Sequence, residues 1–235
     1  MEKTVLLVDV GNSFVKYCIH EKVDVQPLQS FDVLKLPSAD LVCIASVVEN
    51  ESLLHTFYTH FNQVVRVHTQ RQHGNLINGY TDFSQLGVDR WLALVAVYEM
   101  YPQQTVFIVD IGSAVTFDLL TAEGQHRGGW IMPGLDWLKK THLPFVSRHV
   151  HNSSMLATNT AQAWHNGCRL MVIDAINARI AELYQTYADM QVVLTGGGIH
   201  TLQIADQDLT FSCSREENLV LSGLNIWHNH YVRHQ

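Results

Sequence analysis

Nothing in this chain of 235 residues stays apolar long enough to span a membrane. Its longest such stretch, near WLALVAVY, falls far short of the ~20 residues a spanning helix needs. A secretory leader is not expected either, because Asp9 breaks the first apolar run. Cysteine is scarce. Cys18, Cys43, Cys168 and Cys213 lie far apart with no C-x-x-C spacing, which argues for buried free thiols in a reducing compartment and against a disulfide framework. The expectation is a soluble, cytoplasmic protein without a membrane partner. Basic charge is short too: 15 Lys and Arg stand against 22 Asp and Glu, a net charge of −7. Sequence-independent nucleic-acid binding needs a basic face, so no nucleic-acid partner is expected. A small anion held locally by backbone amides and a metal remains compatible with that balance. The 14 histidines contain no H-E-x-x-H. His142, His149 and His151 lack ordered ligand spacing, and His228, His230 and His234 fall in the C-terminal tail. Solvated or locally hydrogen-bonded histidines are favoured over a zinc site.

The familiar phosphate signatures are missing as well. There is no G-x-x-x-x-G-K-[ST], no strand followed by G-x-G-x-x-G, and no protein-kinase loop with its HRD and DFG partners. What the chain does have is apolar residues, 47% against 16% charged, enough to bury a core in one large domain or two small ones. It also has a repeat. Residues 5–19 read VLLVDVGNSFVKYCI and residues 106–120 read VFIVDIGSAVTFDLL. Aligned without a gap, Val5/Val106, Val8/Val109, Asp9/Asp110 and Gly11/Gly112 are identical. Each copy is an apolar run, then Asp-x-Gly with a hydroxyl close behind, then a second apolar run. That pattern predicts strand, tight turn, strand. The carboxylate ends the first strand, and the glycine lets backbone approach a ligand. Two such hairpins facing each other would suit a metal-bound polyphosphate. One copy alone reads more readily as an ordinary β-turn. The second copy, and the glycine turn Thr195-Gly196-Gly197-Gly198 behind a buried strand, favour the phosphate reading. Lys16 could neutralise a phosphate or simply be solvated on the return strand.

The elements between these motifs alternate. Strands are expected near 30–34, 41–48 and 64–68, and a helix across 50–62. A polar segment spans 69–82, and a helix starts just after Gly87. Beyond the second hairpin come a turn-rich element at 128–134, a helix at 135–140 and a polar stretch at 147–159. A long helix from 160 to 187, a strand at 191–198 and a final helix in NLVLSGLNIW follow. The order predicts an α/β fold of two similar halves, residues 1–104 and 105–235, cut at the linker holding Pro102.

A second constellation precedes that cut: YTDFSQLGVDR, residues 80–90. Asp89 at a helix start suits the helix dipole, whereas Arg90 there does not. The pair reads equally as helix-entry chemistry or as a base beside an anion anchor.

The order of D-x-G, D-x-G and glycine turn resembles the phosphate and adenosine elements of actin-like ATPases and sugar kinases. More narrowly, DVGNSFVK, Y-x-D-F-x-x-LGVDRW, DIGSAVTFD, GGWIMPGL, T-x-x-A-x-x-x-G at 160–167 and TGGG, in that order, resemble type III pantothenate kinase. The resemblance covers residues 5–224. It implies the actin-like, ribonuclease H-like duplicated kinase fold, ATP-dependent phosphorylation of pantothenate at the start of coenzyme A synthesis, and a homodimer. It also implies Mg²⁺ and a monovalent cation, K⁺ or NH₄⁺. Carried onto this chain, it implies that Asp9, Val10, Gly11, Asn12, Ser13, Phe14, Val15 and Lys16 bind the ATP phosphates, with Asp9 at Mg²⁺. Ser113 would contact ATP and Asp110 would hold the monovalent cation. Asp89 would be the general base, and Tyr80, Gly87, Val88, Asp89, Arg90 and Thr160 would contact pantothenate, Thr160 across the dimer. Without the resemblance, Thr160 reads as a helix N-cap. The chain departs from the family pattern at Ser13 and Ser113, usually Thr, where the hydroxyl survives. It departs again at Asp82-Phe83, usually Asn-Pro, which adds a carboxylate near the acceptor. Two rivals are a kinase for another hydroxyl or carboxylate acceptor, and a non-enzymatic transcriptional accessory protein of the same family.

Overall fold

The computed structural model describes residues 3–134, 137–138, 156–202 and 204–233, except the side chains of 232 and 233. These residues form two compact units. One consists of residues 1–102, 124–126 and 218–235, the other of 103–123 and 127–217. The chain thus returns to the first unit for its last helix, which a single linear cut could not express.

The first unit holds a five-stranded sheet ordered β3-β2-β1-β4-β5. Its strands are β1 (Val5–Val10), β2 (Phe14–Ile19), β3 (Lys22–Pro27), β4 (Leu41–Ser46) and β5 (Val64–Val67). β1, β4 and β5 run parallel; β2 and β3 are antiparallel additions. The strand period of two sorts the side chains of β1. Leu6, Val8 and Val10 face α1 (Glu51–His60), where Leu54 and Phe57 meet them. Leu7 faces the other way, with Cys43 and Ala45, toward Val88 and Leu92 of α2 (Val88–Met100) and Leu221 and Leu224 of α5 (Leu219–Arg233). Burial pushes the Cys43 thiol up to about 12, so it packs as an inert apolar group. α2 and α5 lie so close that a Cβ on Gly223 would overlap the Leu92 carbonyl.

The second unit repeats the order as β10-β9-β8-β11-β12. Its strands are β8 (Val106–Ile111), β9 (Ala114–Leu120), β10 (His126–Pro133), β11 (Gln191–Thr195) and β12 (Ser214–Arg215). Phe107, Val109 and Ile111 face Cys168, Val172, Ile173, Ile176 and Ile180 of α3 (Thr160–Tyr184). These three match Leu6, Val8 and Val10 of β1 position for position, so the repeat extends from sequence to core. The short helix α4 (Gly198–Thr201) follows β11, and a two-stranded ribbon, β6 (Gln72–His73) with β7 (Leu76–Ile77), lies in the first unit.

Three expectations need correction. Residues 30–34 are not a strand: two 3-10 turns, Leu28–Ser30 and Val33–Lys35, replace it, the second capped by Asp32 accepting the Leu34 N–H at 3.1 Å. The turn-rich reading of 128–134 fails because these residues continue β10, an edge strand that tolerates Gly128 at φ +90° and a terminal Pro133. His228 and His230 belong to α5 rather than to a tail. The expected helix at 135–140 lies outside the described residues apart from Trp137 and Leu138. So does most of the 147–159 stretch, with His142, His149 and His151.

Candidate active site

In the first unit, candidate residues gather where β1 and β4 end. Ligand crevices of parallel α/β sheets form at this end. Asp9 occupies the last odd position of β1, so it points to the same face as Leu7, the face that α2 covers. Lys16 is its direct cross-strand partner and Ala45 its partner on β4. The turn that follows is closed by the Gly11 N–H donating to the Phe14 carbonyl at 3.0 Å. That bond consumes the Gly11 amide. The next two amides, of Asn12 and Ser13, have no hydrogen-bond partner among the described residues. The Ser13 carbonyl is tied to the Leu28 N–H at 2.9 Å. Val10 and Val15 are core residues, and Phe14 is half-exposed.

The beginning of α2 abuts this end of the sheet. Val47, just past β4, donates its N–H to the Val10 carbonyl at 3.2 Å and lies 4.0 Å from where a Cβ on Gly87 would be. Asp89 sits in the first turn of α2. Its Oδ1 accepts the backbone N–H of Arg90 at 2.7 Å, and a Cβ on Gly87 would come within 2.5 Å of the same oxygen. A side chain on Gly87 would therefore have to displace the carboxylate. Val88 is buried in the α2 face of the sheet.

Arg90 is only 6% exposed. Its Nη1 donates to the Tyr80 hydroxyl at 2.8 Å, and its guanidinium lies 5.6 Å from the Tyr80 ring centroid. A buried guanidinium costs much unless its donors are satisfied, and here part of that satisfaction comes from Tyr80. The stretch leading to Tyr80 is fixed by Asn78, nearly fully buried. Asn78 Oδ1 accepts the Tyr80 N–H at 3.0 Å and Nδ2 donates to the Gln70 and Phe83 carbonyls. The unusual Asp82-Phe83 pair has a local explanation. The Asp82 carboxylate accepts from the Ser84 hydroxyl at 2.6 Å, the Ser84 N–H at 3.1 Å and the Gln85 amide at 3.3 Å. The Ser84 hydroxyl, then its backbone N–H, hold this carboxyl below the usual range. Phe83 lies under the Arg71 guanidinium at 5.4 Å.

The second unit builds a matching end. Asp110 pairs with Thr116 on β9 and Thr195 on β11. Gly112 donates to the Ala114 carbonyl at 2.9 Å, and the following amide, of Ser113, has no partner among the described residues. The Ser113 carbonyl accepts the Gly134 N–H at 3.1 Å. Gly196, at φ +94°, lies against the Asp110 carboxylate and the Ile111 carbonyl so tightly that a Cβ would overlap both. Gly198 is equally close to Ile111. The glycine turn is thus the surface against which the second hairpin packs. Arg169 of α3 holds the C-terminal end of α4, which follows that turn, its Nε donating to the Leu202 carbonyl at 2.9 Å.

Thr160 is the exposed first residue of α3, but it is not the cap. Asn159 is, accepting the Gln162 N–H at 2.9 Å. The capping role available to Thr160 is thus taken by its neighbour.

One residue escaped the sequence reading. His126 is buried at 3% exposure, stacked on Tyr80 with ring centroids 5.8 Å apart and planes 12° apart, and its Nδ1 accepts the Gly79 N–H at 3.4 Å. A lone histidine before a glycine pair carries no sequence signal for this.

No described helix is long and apolar enough to cross a membrane.

Comparison with known proteins speaks to family and fold. The chain is 33% identical over 233 residues to the type III pantothenate kinase of Pseudoalteromonas translucida, covering 95% of each chain. Among solved structures, a conserved protein from Campylobacter jejuni described as a putative Baf family transcriptional activator aligns over 97% of this chain and 99% of its own, with a TM-score of 0.60 at 21% identity. An archaeal actin homolog aligns over 96% and 99%, with a TM-score of 0.52 at 8% identity. At such identities these two likenesses speak to fold alone, and the fold is the actin-like duplicated α/β fold. The family model for type III pantothenate kinase matches residues 5–182, and on that match and the curated relative the chain belongs to the type III pantothenate kinase family.

Proposed function

We propose that this chain transfers the γ-phosphoryl group of ATP to the primary hydroxyl of pantothenate, with Asp89 as general base and Arg90 as substrate anchor. The observation that carries the assignment is the fixed pair at the start of α2. Asp89 is pinned by the Arg90 N–H, and Arg90 is buried and oriented by Tyr80. A base must be held within hydrogen-bonding reach of the proton it takes, and a positioned guanidinium suits a polar substrate group. Phosphoryl transfer depends on such positioning more than on covalent chemistry. Asp89 orients and deprotonates the hydroxyl. Gly87, Val88 and Tyr80 complete the acceptor surface, and the Thr160 hydroxyl contributes to pantothenate binding.

Each hairpin turn, taken by itself, offers what a phosphate needs. The backbone amides of Asn12, Ser13 and Ser113, without a partner among the described residues, are the donor type phosphate oxygens take, and Lys16 stands across from Asp9. Asp9, a carboxylate at a strand end, fits Mg²⁺, which when bound offsets the phosphate charge. Asp110, whose carboxylate and the Ile111 carbonyl both lie against Gly196, fits a monovalent cation, K⁺ or NH₄⁺. Homodimer formation is supported by the edge strand β10, which exposes Trp130 and Ile131, and by exposed Leu170 and Met171 on α3. A cytoplasmic location is in keeping with four free cysteines and this substrate.

The deciding experiment is ADP release with ATP and pantothenate, comparing Asp89→Asn with the unmodified chain. Turnover should fall by about 10²–10⁴-fold while the melting temperature holds, since the amide keeps the shape and loses the base. Near-normal turnover by this variant would refute the base assignment.

A further inference from the structure

We infer that His126 is a positioning residue for the acceptor anchor: by stacking on Tyr80 it fixes the hydroxyl that holds Arg90. The inference rests on the reading of Arg90 as the group that binds pantothenate.

The relay is short. His126 and Tyr80 are nearly parallel, 12° apart at 5.8 Å. The Tyr80 hydroxyl then accepts from Arg90 Nη1 at 2.8 Å. A tyrosine ring has two soft torsions, and an anchor that depends on its hydroxyl needs both stopped. Asn78 fixes the backbone of Tyr80 but not its ring. The ring has Arg90 along its path and His126 as its stacking partner.

His126 is itself held in place. Its Nδ1 accepts the Gly79 N–H, so in the neutral ring the proton sits on Nε2. The segment that carries it is docked by the Ile77 N–H donating to the Gly124 carbonyl at 2.8 Å. Gly124 is confined at φ +80°, where a Cβ would come within 2.8 Å of the Asn75 carbonyl and 3.1 Å of the Tyr98 ring. Residues 124–126 are the only described ones between positions 103 and 217 that group with the first unit. The chain makes this excursion and puts a buried histidine at its end, against the tyrosine that orients Arg90.

The test uses the full chain, with steady-state kinetics for both substrates and thermal melts on His126→Ala, His126→Phe, Arg90→Gln and Tyr80→Phe. His126→Ala should raise the pantothenate KM about three- to tenfold, the worth of an aromatic pair, with the ATP KM unchanged. His126→Phe keeps a flat ring and should recover most of that loss. Combining His126→Ala with Tyr80→Phe should cost less than the two separate effects multiplied, because both act through one hydroxyl. If Arg90→Gln raises the pantothenate KM and His126→Ala does not, the positioning role is overturned. If His126→Ala shifts both KM values and the melting temperature together, and His126→Phe does the same, His126 is structural and the inference is again overturned. If Arg90→Gln itself leaves the pantothenate KM unchanged, the anchor reading fails instead, and the inference falls with it.

Discussion

Asp89 and Gly87 share one volume: the carboxylate Oδ1 stands within 2.5 Å of where a Cβ on Gly87 would be. Backbone strain is not the reason for the glycine, since Gly87 has φ −54°. The same oxygen accepts the Arg90 N–H, so the carboxylate is held from one side by a donor and admitted from the other by a missing side chain.

Gly87→Ala should therefore act on catalysis and spare stability. The methyl would push the carboxylate off its donor, and a displacement of about 1 Å at a reacting group can cost about 10²-fold in rate. Because alanine tolerates this φ, the folding free energy should change by under about 1 kcal/mol. Parallel kcat and urea-unfolding measurements check this. An active variant would mean that the pinned carboxylate position has no part in turnover.

At the start of α3 two adjacent residues should separate cap from substrate contact. Asn159→Ala removes the bond to the Gln162 N–H and should cost about 1 kcal/mol of stability. Thr160→Ala removes an exposed hydroxyl and should stay within about 0.5 kcal/mol, while raising the pantothenate KM. Equal stability losses with no kinetic effect would return Thr160 to a purely structural role.

Much of this was readable from the chain alone, for physical reasons. The two hairpins are apolar with a carboxylate and glycine at fixed places, and their registers set Asp9 opposite Lys16 and Asp110 opposite Thr116. Buried strands carry that signal strongly. Edge strands do not. β3 reads KVDVQP, is mostly solvated, and enters through His20 and Glu21 at positive φ without any glycine to announce the turn. β10 looked like turns because glycine and proline are tolerated at an edge. His126 was unreadable because its role comes from a ring brought alongside by the fold. The Asn159 cap was missed by one residue, which is the ordinary uncertainty of helix ends.

In the second unit, Gly196→Ala should do two things at once. At φ +94° the new side chain is strained, and it would overlap the Asp110 carboxylate and the Ile111 carbonyl. A loss of about 1–3 kcal/mol in stability is expected. If Asp110 holds the monovalent cation, the potassium concentration for half-maximal activity should also rise. A destabilised variant with an unchanged potassium response would take the cation away from Asp110.

Acid sensitivity should arise outside the catalytic pair, at His73. This residue is 6% exposed, in the short ribbon, with its ring 4.6 Å from that of His230 on α5. Burial first, and the His230 charge second, hold its pKa below the ordinary 6.5. The sign follows from which state takes the proton. As pH falls past 6.5 the unfolded chain protonates His73 before the folded one does, so the unfolded state gains. The stabilising contribution is complete above 6.5 and is lost as pH descends toward the lowered folded value. His228 on the same helix, also lowered by burial, acts in the same direction. Urea unfolding at about pH 7.5 and about pH 5.5 should show the loss, and His73→Phe, which has nothing to protonate, should reduce it. An identical pH dependence in that variant would assign the acid sensitivity to other groups.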